Sequence, residues 1–515
     1  MPISRSNDIF EYTRTYPALF KVSYLLAIAS WLVLAMAYSV IFGSHIWLWL
    51  LFAPAILAII SASILSKWIN LSYKKFDLAY HQRLQKIWYS NKQFPSVDIF
   101  LPIAGEPLDV LINTWKGVYA MVQKYPGKAQ VYILDDKGHD DIKDISITAG
   151  FKYLSRPNKG ELKKAGNLKY AFERTKGEFI VILDADFKPE PDFLEELMPY
   201  FLSENTRDDG DTLGIVQSPQ CFLLDNELAK RVPLAYGAAS IQDYFYKFIQ
   251  PSRQAFGNAA ICVGSNAIYR RAALSTIGGT VQVEHSEDVW TGFKLAEIGW
   301  RLKYVPVCVA YGDCPENAHA FYKQQSRWCA GSMSLMTSKD FWKSRLPIKT
   351  KLGFISGFLF YLSNLGYLFI PFITVASILT NQYGIDKWYY WYIALMLSNS
   401  VILLSIHIYP RWRISTVIAH MIASWSYSFT LVNLLLKRHE PWVATGVKSS
   451  LSPNFVLMRR IVIAYILLVI VSFGFAMWHL GSDALKPINS AYYIWIVITL
   501  LSHSLALFGL YKYAR

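Results

Sequence analysis

The 515-residue chain predicts an α/β domain with a largely parallel sheet, bracketed by membrane-spanning helices. Three observations predict it. Runs of about 20 apolar residues, the length a helix needs to cross a bilayer, stand towards both ends of the chain. Between them, from about residue 91 to 340, short apolar segments alternate with amphipathic stretches, the pattern of βαβ units. Acidic residues follow those segments, and in open parallel sheets ligands sit beyond the C-terminal strand ends.

The apolar runs are residues 22–42, 46–65, 366–380 with its preceding apolar turns, 388–408, 461–477 and 492–510. The first is too long, and too closely followed by the second, to be a cleaved signal peptide. A hydrophobic content of 53% fits an integral membrane protein carrying one folded polar block. The net charge of +14 gathers at the ends of the spans, at Lys67, Lys74, Lys75, Arg83, Lys349, Lys351, Arg411, Arg413, Arg459, Arg460, Lys512 and Arg515. The positive-inside rule makes these cytoplasmic ends. No zinc-finger spacing or arginine-rich arm accompanies the charge, so nucleic acid is excluded as a partner. The five cysteines (Cys221, Cys262, Cys308, Cys314, Cys329) all fall in the polar block without a Cys-x-x-Cys pair, and a cytoplasmic location predicts five thiols.

Residues 415–436 are apolar enough to cross, yet Lys437, Arg438, Lys448, Arg459 and Arg460 follow them. An interfacial helix keeps those cations inside. A second interfacial helix is expected over 348–362. The organisation is then an N-terminal transmembrane hairpin and linker (1–90), a cytoplasmic α/β domain (91–340), and a C-terminal region (341–515) of interfacial and spanning helices, with about six spans in all.

Within the polar block, residues 97–101, 129–134 and 179–183 read as buried strands. Glu106, Asp135, Asp136, Asp184 and Asp186 lie at or just beyond their ends. Asp184 and Asp186 flank a small residue, and oxygen ligands so placed suit Mg2+ or Mn2+ on a diphosphate; the plain alternative is a helix N-cap. Asp135 and Asp136 suit a base, a ribose or the ion, or an ordinary Asp turn. Lys164 offers a cation for the diphosphate, and Gly166 permits close backbone approach. Asp288 beside Glu287 can serve as a general base, since neighbouring carboxylates raise one another's pKa. Trp328 offers a flat face for a pyranose ring, with Gln324 and Arg327 as bonding groups beside it. Together these suggest sugar transfer from a nucleotide donor at a membrane face.

On these residues the chain resembles the processive, membrane-embedded family 2 glycosyltransferases, and among them bacterial cellulose synthase catalytic subunits. The resemblance covers about residues 95–460. It rests on Leu101-Pro102 with Glu106-Pro107, Leu134-Asp135-Asp136, Lys164-Ala165-Gly166-Asn167, Val216-Gln217-Ser218-Pro219 with Phe222, and Gly264-Ser265-Asn266 with Arg270-Arg271. Ser286-Glu287-Asp288, Gly299-Trp300 and the signature Gln324-Gln325-Ser326-Arg327-Trp328 complete it. Three places depart from the family pattern. Lys137 stands where glycine is usual, Cys262 is displaced by one position, and Lys448 comes one residue late in the gating-loop stretch Trp442-Val443-Ala444-Thr445-Gly446-Val447-Lys448.

The resemblance implies a GT-A-like glycosyltransferase domain beside an α-helical transmembrane channel, in the inner (plasma) membrane with the catalytic domain cytoplasmic. It implies a UDP-sugar donor, UDP-glucose foremost, inverting transfer, and a growing β-glucan that is moved across the bilayer. Asp288 would be the base. Glu106, Asp135, Asp136, Lys164, Asp184, Gln324, Arg327, Thr445 and Lys448 would hold the donor, and Asp184 with Asp186 would bind Mg2+ or Mn2+. Gly264, Ser265, Glu287 and Trp328 would hold the acceptor. Periplasmic or secretion accessory subunits are candidate partners, and in-cis activation by cyclic di-GMP is not expected. The alternatives are a chitin-like or hyaluronan-like amino-sugar polymer, a single transfer to a lipid carrier, and a transporter or scaffold with an inactive domain.

Overall fold

The computed structural model describes residues 8–15, 17–43, 46–203, 213–380, 391, 394–395, 411–438, 450–481 and 490–514. Its centre is a seven-stranded sheet in the order β3-β2-β1-β4-β8-β6-β9. The strands are β1 (Val97–Ile103), β2 (Ala129–Asp135), β3 (Lys152–Leu154), β4 (Phe179–Ile182), β6 (Leu213–Gln217), β8 (Ala267–Arg270) and β9 (Arg301–Tyr304). A smaller sheet orders β5 (Phe187–Pro189), β10 (Ala310–Gly312) and β7 (Cys221–Phe222) as β5-β10-β7. The expected strands at 97–101, 129–134 and 179–183 are present. β1 and β4 are buried along their whole length, as parallel strands covered on both faces should be. The largely parallel expectation holds for β3-β2-β1-β4, whereas β8 runs antiparallel to both β4 and β6.

The chain leaves β1 towards β2 on one side and reaches β4 on the other, so the strand order reverses beside β1. Crevices open at such switch points. Pro102 helps to open this one. β1 pairs with β2 through Ile103 but with β4 only as far as Phe100. The amides of β1 alternate direction, with Val97 donating towards the β2 side, so position 102 faces β4. A proline there, lacking an N–H, ends the ladder. The stretch from Asp184 to Asp186 leaves the sheet at that gap.

The apolar core continues from the sheet (Ile215, Tyr269) through Phe293 and Tyr322 to Ile418, Phe455 and Leu510. The α/β domain therefore shares packing with the C-terminal helices. The helix Ile414–Leu435 lies against the helices Pro233–Tyr244 and Ala318–Met336. The first of these contacts is close, since a Cβ at Gly237 would fall 2.2 Å from the Ser415 carbonyl oxygen.

Three helices among the described residues are long and apolar enough to cross a membrane: Leu50–Asn70, Pro453–Leu480 and Tyr493–Lys512. A fourth span arises if Ile348–Tyr367 and Ile370–Leu379, bent by 45°, count as one. The first expected run falls in the helix Pro17–Gly43, of which Phe20–Val33 forms a shorter apolar stretch. The expected run at 388–408 lies mostly outside the described residues. The helix Ile414–Leu435 is not among those that qualify by length and composition. The helix expected at 348–362 instead continues to Tyr367 before the bend. The expectation of five thiols is corrected. Cys221 and Cys308 form a disulfide, because pairing of Tyr311 in β10 with Cys221 in β7 brings the segment before β10 alongside, with Cα atoms 5.8 Å apart. Cys262, Cys314 and Cys329 are free and buried.

Candidate active site

The strand ends carry the acids to one edge, but the acids do different work there. Asp135 is fully buried. Its Oδ1 accepts the Lys137 amide (2.8 Å), and its Oδ2 accepts the His139 amide (2.7 Å) and the Tyr153 hydroxyl (2.8 Å). Burial alone would raise its pKa, but these donors outweigh it and hold the carboxyl below its ordinary value. Asp136 takes a bidentate pair from Arg156, with Nε to Oδ1 at 2.6 Å and Nη2 to Oδ2 at 2.9 Å. Both residues, expected at the nucleotide, are bonded to the protein's own loops.

Arg156 is a residue that sequence reasoning missed. Only 1% exposed, it also donates to the carbonyls of Glu161 (2.5 Å) and Lys163 (3.0 Å). Those carbonyls border Leu162 and Lys163, two successive non-glycine residues with φ of 51° and 50°. Left-handed residues cost about 1–2 kcal/mol each, and Arg156 holds them in place. Gly166, expected to permit close backbone approach, admits Arg156, whose Nη1 lies 2.2 Å from where a Cβ would sit. The strained turn starts the helix Lys163–Phe172, which Asn167 ties to the Leu134 carbonyl (2.7 Å). The Lys164 ammonium then reaches back to Asp184 Oδ1 (2.5 Å) and the Gly264 carbonyl (2.9 Å), with Glu287 at 3.8 Å. Burial pulls the Lys164 pKa down, but Asp184 and Glu287 prevail, so it stays charged.

Asp184 donates its amide to Ser265 Oγ (2.9 Å), and Thr114 holds the Ala185 carbonyl (2.7 Å). These bonds set the Asp184-Ala185-Asp186 turn. Burial, followed by the charge of Asp184, pushes the Asp186 carboxyl up to about 7. Glu106 accepts the Ala104 amide (2.6 Å), its pKa raised by burial, and lines a cleft of about 160 Å3 with Ile103, Gly105 and His139.

The opposite wall is the loop 261–266. Gln217 accepts the Val263 amide (2.8 Å) and donates to the Ile261 carbonyl (3.0 Å), while Gln250 pairs with both the amide and the carbonyl of Ile261. Gln250 was not anticipated from the sequence. The loop delivers Gly264, at φ +71°, against Asp288, whose Oδ2 lies 2.8 Å from where a Cβ would be. Asp288 is in the first turn of the helix Glu287–Glu297, entered through a left-handed Ser286. Burial first, and then Glu287, raise its carboxyl to about 7 against the pull of Lys164.

The helix Ala318–Met336 closes the crevice. Gln324, Arg327 and Trp328 occupy i, i+3 and i+4, hence one face, and all three are partly exposed. Arg327 lies within electrostatic reach of Asp184, Asp186 and Glu287, although burial is the larger influence and lowers its pKa. Gln325 points the other way and accepts the Tyr427 hydroxyl. Gly331 lets this helix meet Ser286, whose Oγ lies 1.8 Å from a would-be Cβ. Arg270 and Arg271 do not join the site. Arg271 pairs with Asp98 (2.8 Å) near the N-terminal end of β1, and Arg270 donates to the Leu213 carbonyl (3.0 Å). Thr445 and Lys448, with the rest of 442–448, lie outside the described residues.

The family model for "Glycosyl transferase family group 2" matches residues 179–508. The chain is 30% identical over 243 residues to the cellulose synthase 1 catalytic subunit [UDP-forming] of Komagataeibacter xylinus, covering 47% of this chain and 31% of that one. It is 30% identical over 248 residues to the cellulose synthase catalytic subunit [UDP-forming] of Xanthomonas axonopodis pv. citri, covering 48% and 32%. The matched region thus spans about a third of the length of these curated relatives. Among solved structures, the mannosyltransferase PcManGT from Pyrobaculum calidifontis, in complex with GDP-Man and Mn2+, is similar at 17% identity and a TM-score of 0.48, covering 76% of this chain and 100% of that one.

Proposed function

Because the chain belongs to glycosyl transferase family group 2 and is related to cellulose synthase catalytic subunits, we propose that it polymerises sugar from a UDP-sugar, UDP-glucose foremost, into a β-glucan, and passes the chain across the membrane. The observation that carries this reading is the position of Asp288. Its carboxylate sits between Gly264 and Glu287, in a crevice whose other sides are the Lys164–Asp184 pair and the Gln324–Arg327–Trp328 face.

In this reading Asp288 takes the proton from the acceptor hydroxyl as the oxygen attacks the anomeric carbon, and the C–O bond to UDP breaks with inversion. Trp328 stacks the terminal acceptor sugar, and Gln324 and Arg327 orient donor and acceptor. Lys164, kept charged by its acidic neighbours, places a cation beside the diphosphate. The donor set at Asp184 and Asp186 suits Mg2+ or Mn2+, since such ions are commonly held by one or two carboxylates plus substrate phosphates. Among the described residues no group of three or more His, Cys, Asp or Glu side chains is placed to hold a metal ion. When bound, the ion would supply positive charge for the departing diphosphate. The packing of the site helix against Ile414–Leu435 supports a product path into the membrane helices.

The test is Asp288→Asn in the purified full chain with a panel of UDP-sugars. Polymer synthesis should fall by at least about 10³-fold, at the upper part of the range for general-base loss, while UDP affinity stays within about twofold. Undiminished polymer from that variant refutes the assignment, and product length from the parent protein decides processivity.

A further inference from the structure

A second site lies away from the transferase crevice. A cavity of about 210 Å3 opens between the helices Ile348–Tyr367, Ile414–Leu435 and Pro453–Leu480. Its wall is apolar (Leu365, Leu368, Phe429, Val432, Leu457 and Ile461 among others), with Asn433 and Arg438 at one end. It is open to the surroundings, because Val432, Leu457 and Ile461 are each more than a third exposed. An apolar hollow in a water-soluble surface would be costly, but this one lies between the membrane-spanning candidate Pro453–Leu480 and two helices expected at the membrane interface.

The charge at its mouth narrows the occupant. Lys437 adopts the left-handed conformation (φ 54°), and the Arg438 amide bonds back to the Asn433 carbonyl at 2.8 Å. This sharp C-terminal turn fixes Arg438 at the rim. On the helix Pro453–Leu480, Arg460 is exposed three residues, about one turn, after the lining residue Leu457. Its neighbour Arg459 is engaged elsewhere, stacked 3.5 Å over the Tyr511 ring. An exposed guanidinium at the rim of an apolar hollow, with a second exposed one a helical turn from a lining residue, matches one ligand chemistry, a phosphodiester anion carrying an acyl chain.

We propose that this cavity is a binding site for an anionic phospholipid of the cytoplasmic leaflet, with an acyl chain against Val432, Leu457 and Ile461 and the phosphate held by Arg438 and Arg460. The site is separate from the donor and acceptor crevice, and it stands whether or not the product is a glucan.

The test is retention of phosphatidylglycerol by the full chain, purified in detergent and read by native mass spectrometry, with phosphatidylcholine as the neutral competitor. The parent protein should keep about one phosphatidylglycerol per chain and discriminate at least tenfold against phosphatidylcholine. The double variant Arg438→Gln/Arg460→Gln should lose that preference, and the Arg→Lys pair should recover part of it. Val432→Trp, which fills the hollow without altering charge, should also abolish retention. Circular dichroism and UDP binding confirm that each variant is folded. Equal retention of both lipids by the parent overturns the headgroup assignment. Unchanged retention in Val432→Trp overturns the cavity as the place where the acyl chain binds.

Discussion

Gly264→Ala is the substitution that most directly probes how Asp288, the proposed base, is held. Two effects add there. The residue sits at φ +71°, a conformation that costs an alanine about 1–2 kcal/mol. The new methyl would also lie 2.8 Å from Asp288 Oδ2 and 2.9 Å from its Cβ. Ordinary contact begins at 3.4 Å, so the carboxylate must retreat by about 0.6 Å. Asp288 cannot retreat freely, because its Oδ1 accepts the Val289 amide at 2.8 Å and its helix is locked through Ser286 against Gly331.

Misplacement of a reacting group by about 1 Å can cost on the order of 10²-fold. A shift of this size should therefore lower kcat about ten- to a hundredfold, or about 1.4–2.7 kcal/mol of barrier. The Lys164 bond to the Gly264 carbonyl involves only the backbone, so donor affinity should change little. The assay is UDP release under saturating UDP-sugar, paired with UDP titration calorimetry and a thermal melt. A variant that melts lower, as the left-handed cost requires, yet turns over within threefold of the parent, would show that Gly264 serves the loop and not the base.

Two further substitutions test the electrostatics and the loop. Glu287 is, after burial, the largest influence raising Asp288, so Glu287→Gln should lower the Asp288 pKa. Because the base works deprotonated, turnover of the parent rises with pH as Asp288 loses its proton near 7, and in the variant that acid limb should move to lower pH; a limb that stays in place assigns the titration to another group. Arg156→Ala breaks a buried pair and releases the strained Leu162–Lys163 turn, so it should cost about 3–5 kcal/mol in a denaturation measurement. It should also weaken UDP binding through displacement of Lys164, and unchanged affinity would separate the lysine from the loop.

The sequence made the site legible wherever chemistry followed local pattern. Strands buried on both faces read as continuous apolar runs, which located β1, β2 and β4 and put Asp184 and Asp186 at a strand end. Helical spacing put Gln324, Arg327 and Trp328 on one face. What stayed hidden depends on partners distant in the chain. Arg156 gives no local signal, because its role arises only when β2 brings Asp136 within 2.6 Å of its guanidinium. Gln250 clamps the Ile261 backbone from a neighbouring helix. The Cys221–Cys308 pair joins residues separated by 87 positions. At Asp135 and Asp136 the strand-end pattern suggested a ligand; what it did not reveal is that backbone amides, the Tyr153 hydroxyl and the Arg156 guanidinium also bond these carboxylates.

The charge balance of the crevice bears on the order in which it fills. Glu106, Asp184, Asp186, Glu287 and Asp288 converge there, while among the described residues Lys164 and Arg327 are cations within their electrostatic reach. The elevated Asp186 and Asp288 carboxyls follow from that excess, since burial and like charge both disfavour ionisation. A nucleoside diphosphate adds negative charge to a site already too acidic. It should therefore bind weakly alone and well together with a divalent cation. The same excess keeps Asp288 poised near neutrality, where a carboxylate can accept a proton from a hydroxyl more readily than an ordinary surface aspartate can. In the proposed mechanism, acids that would repel the bare donor are thus the groups that serve the cation and the acceptor.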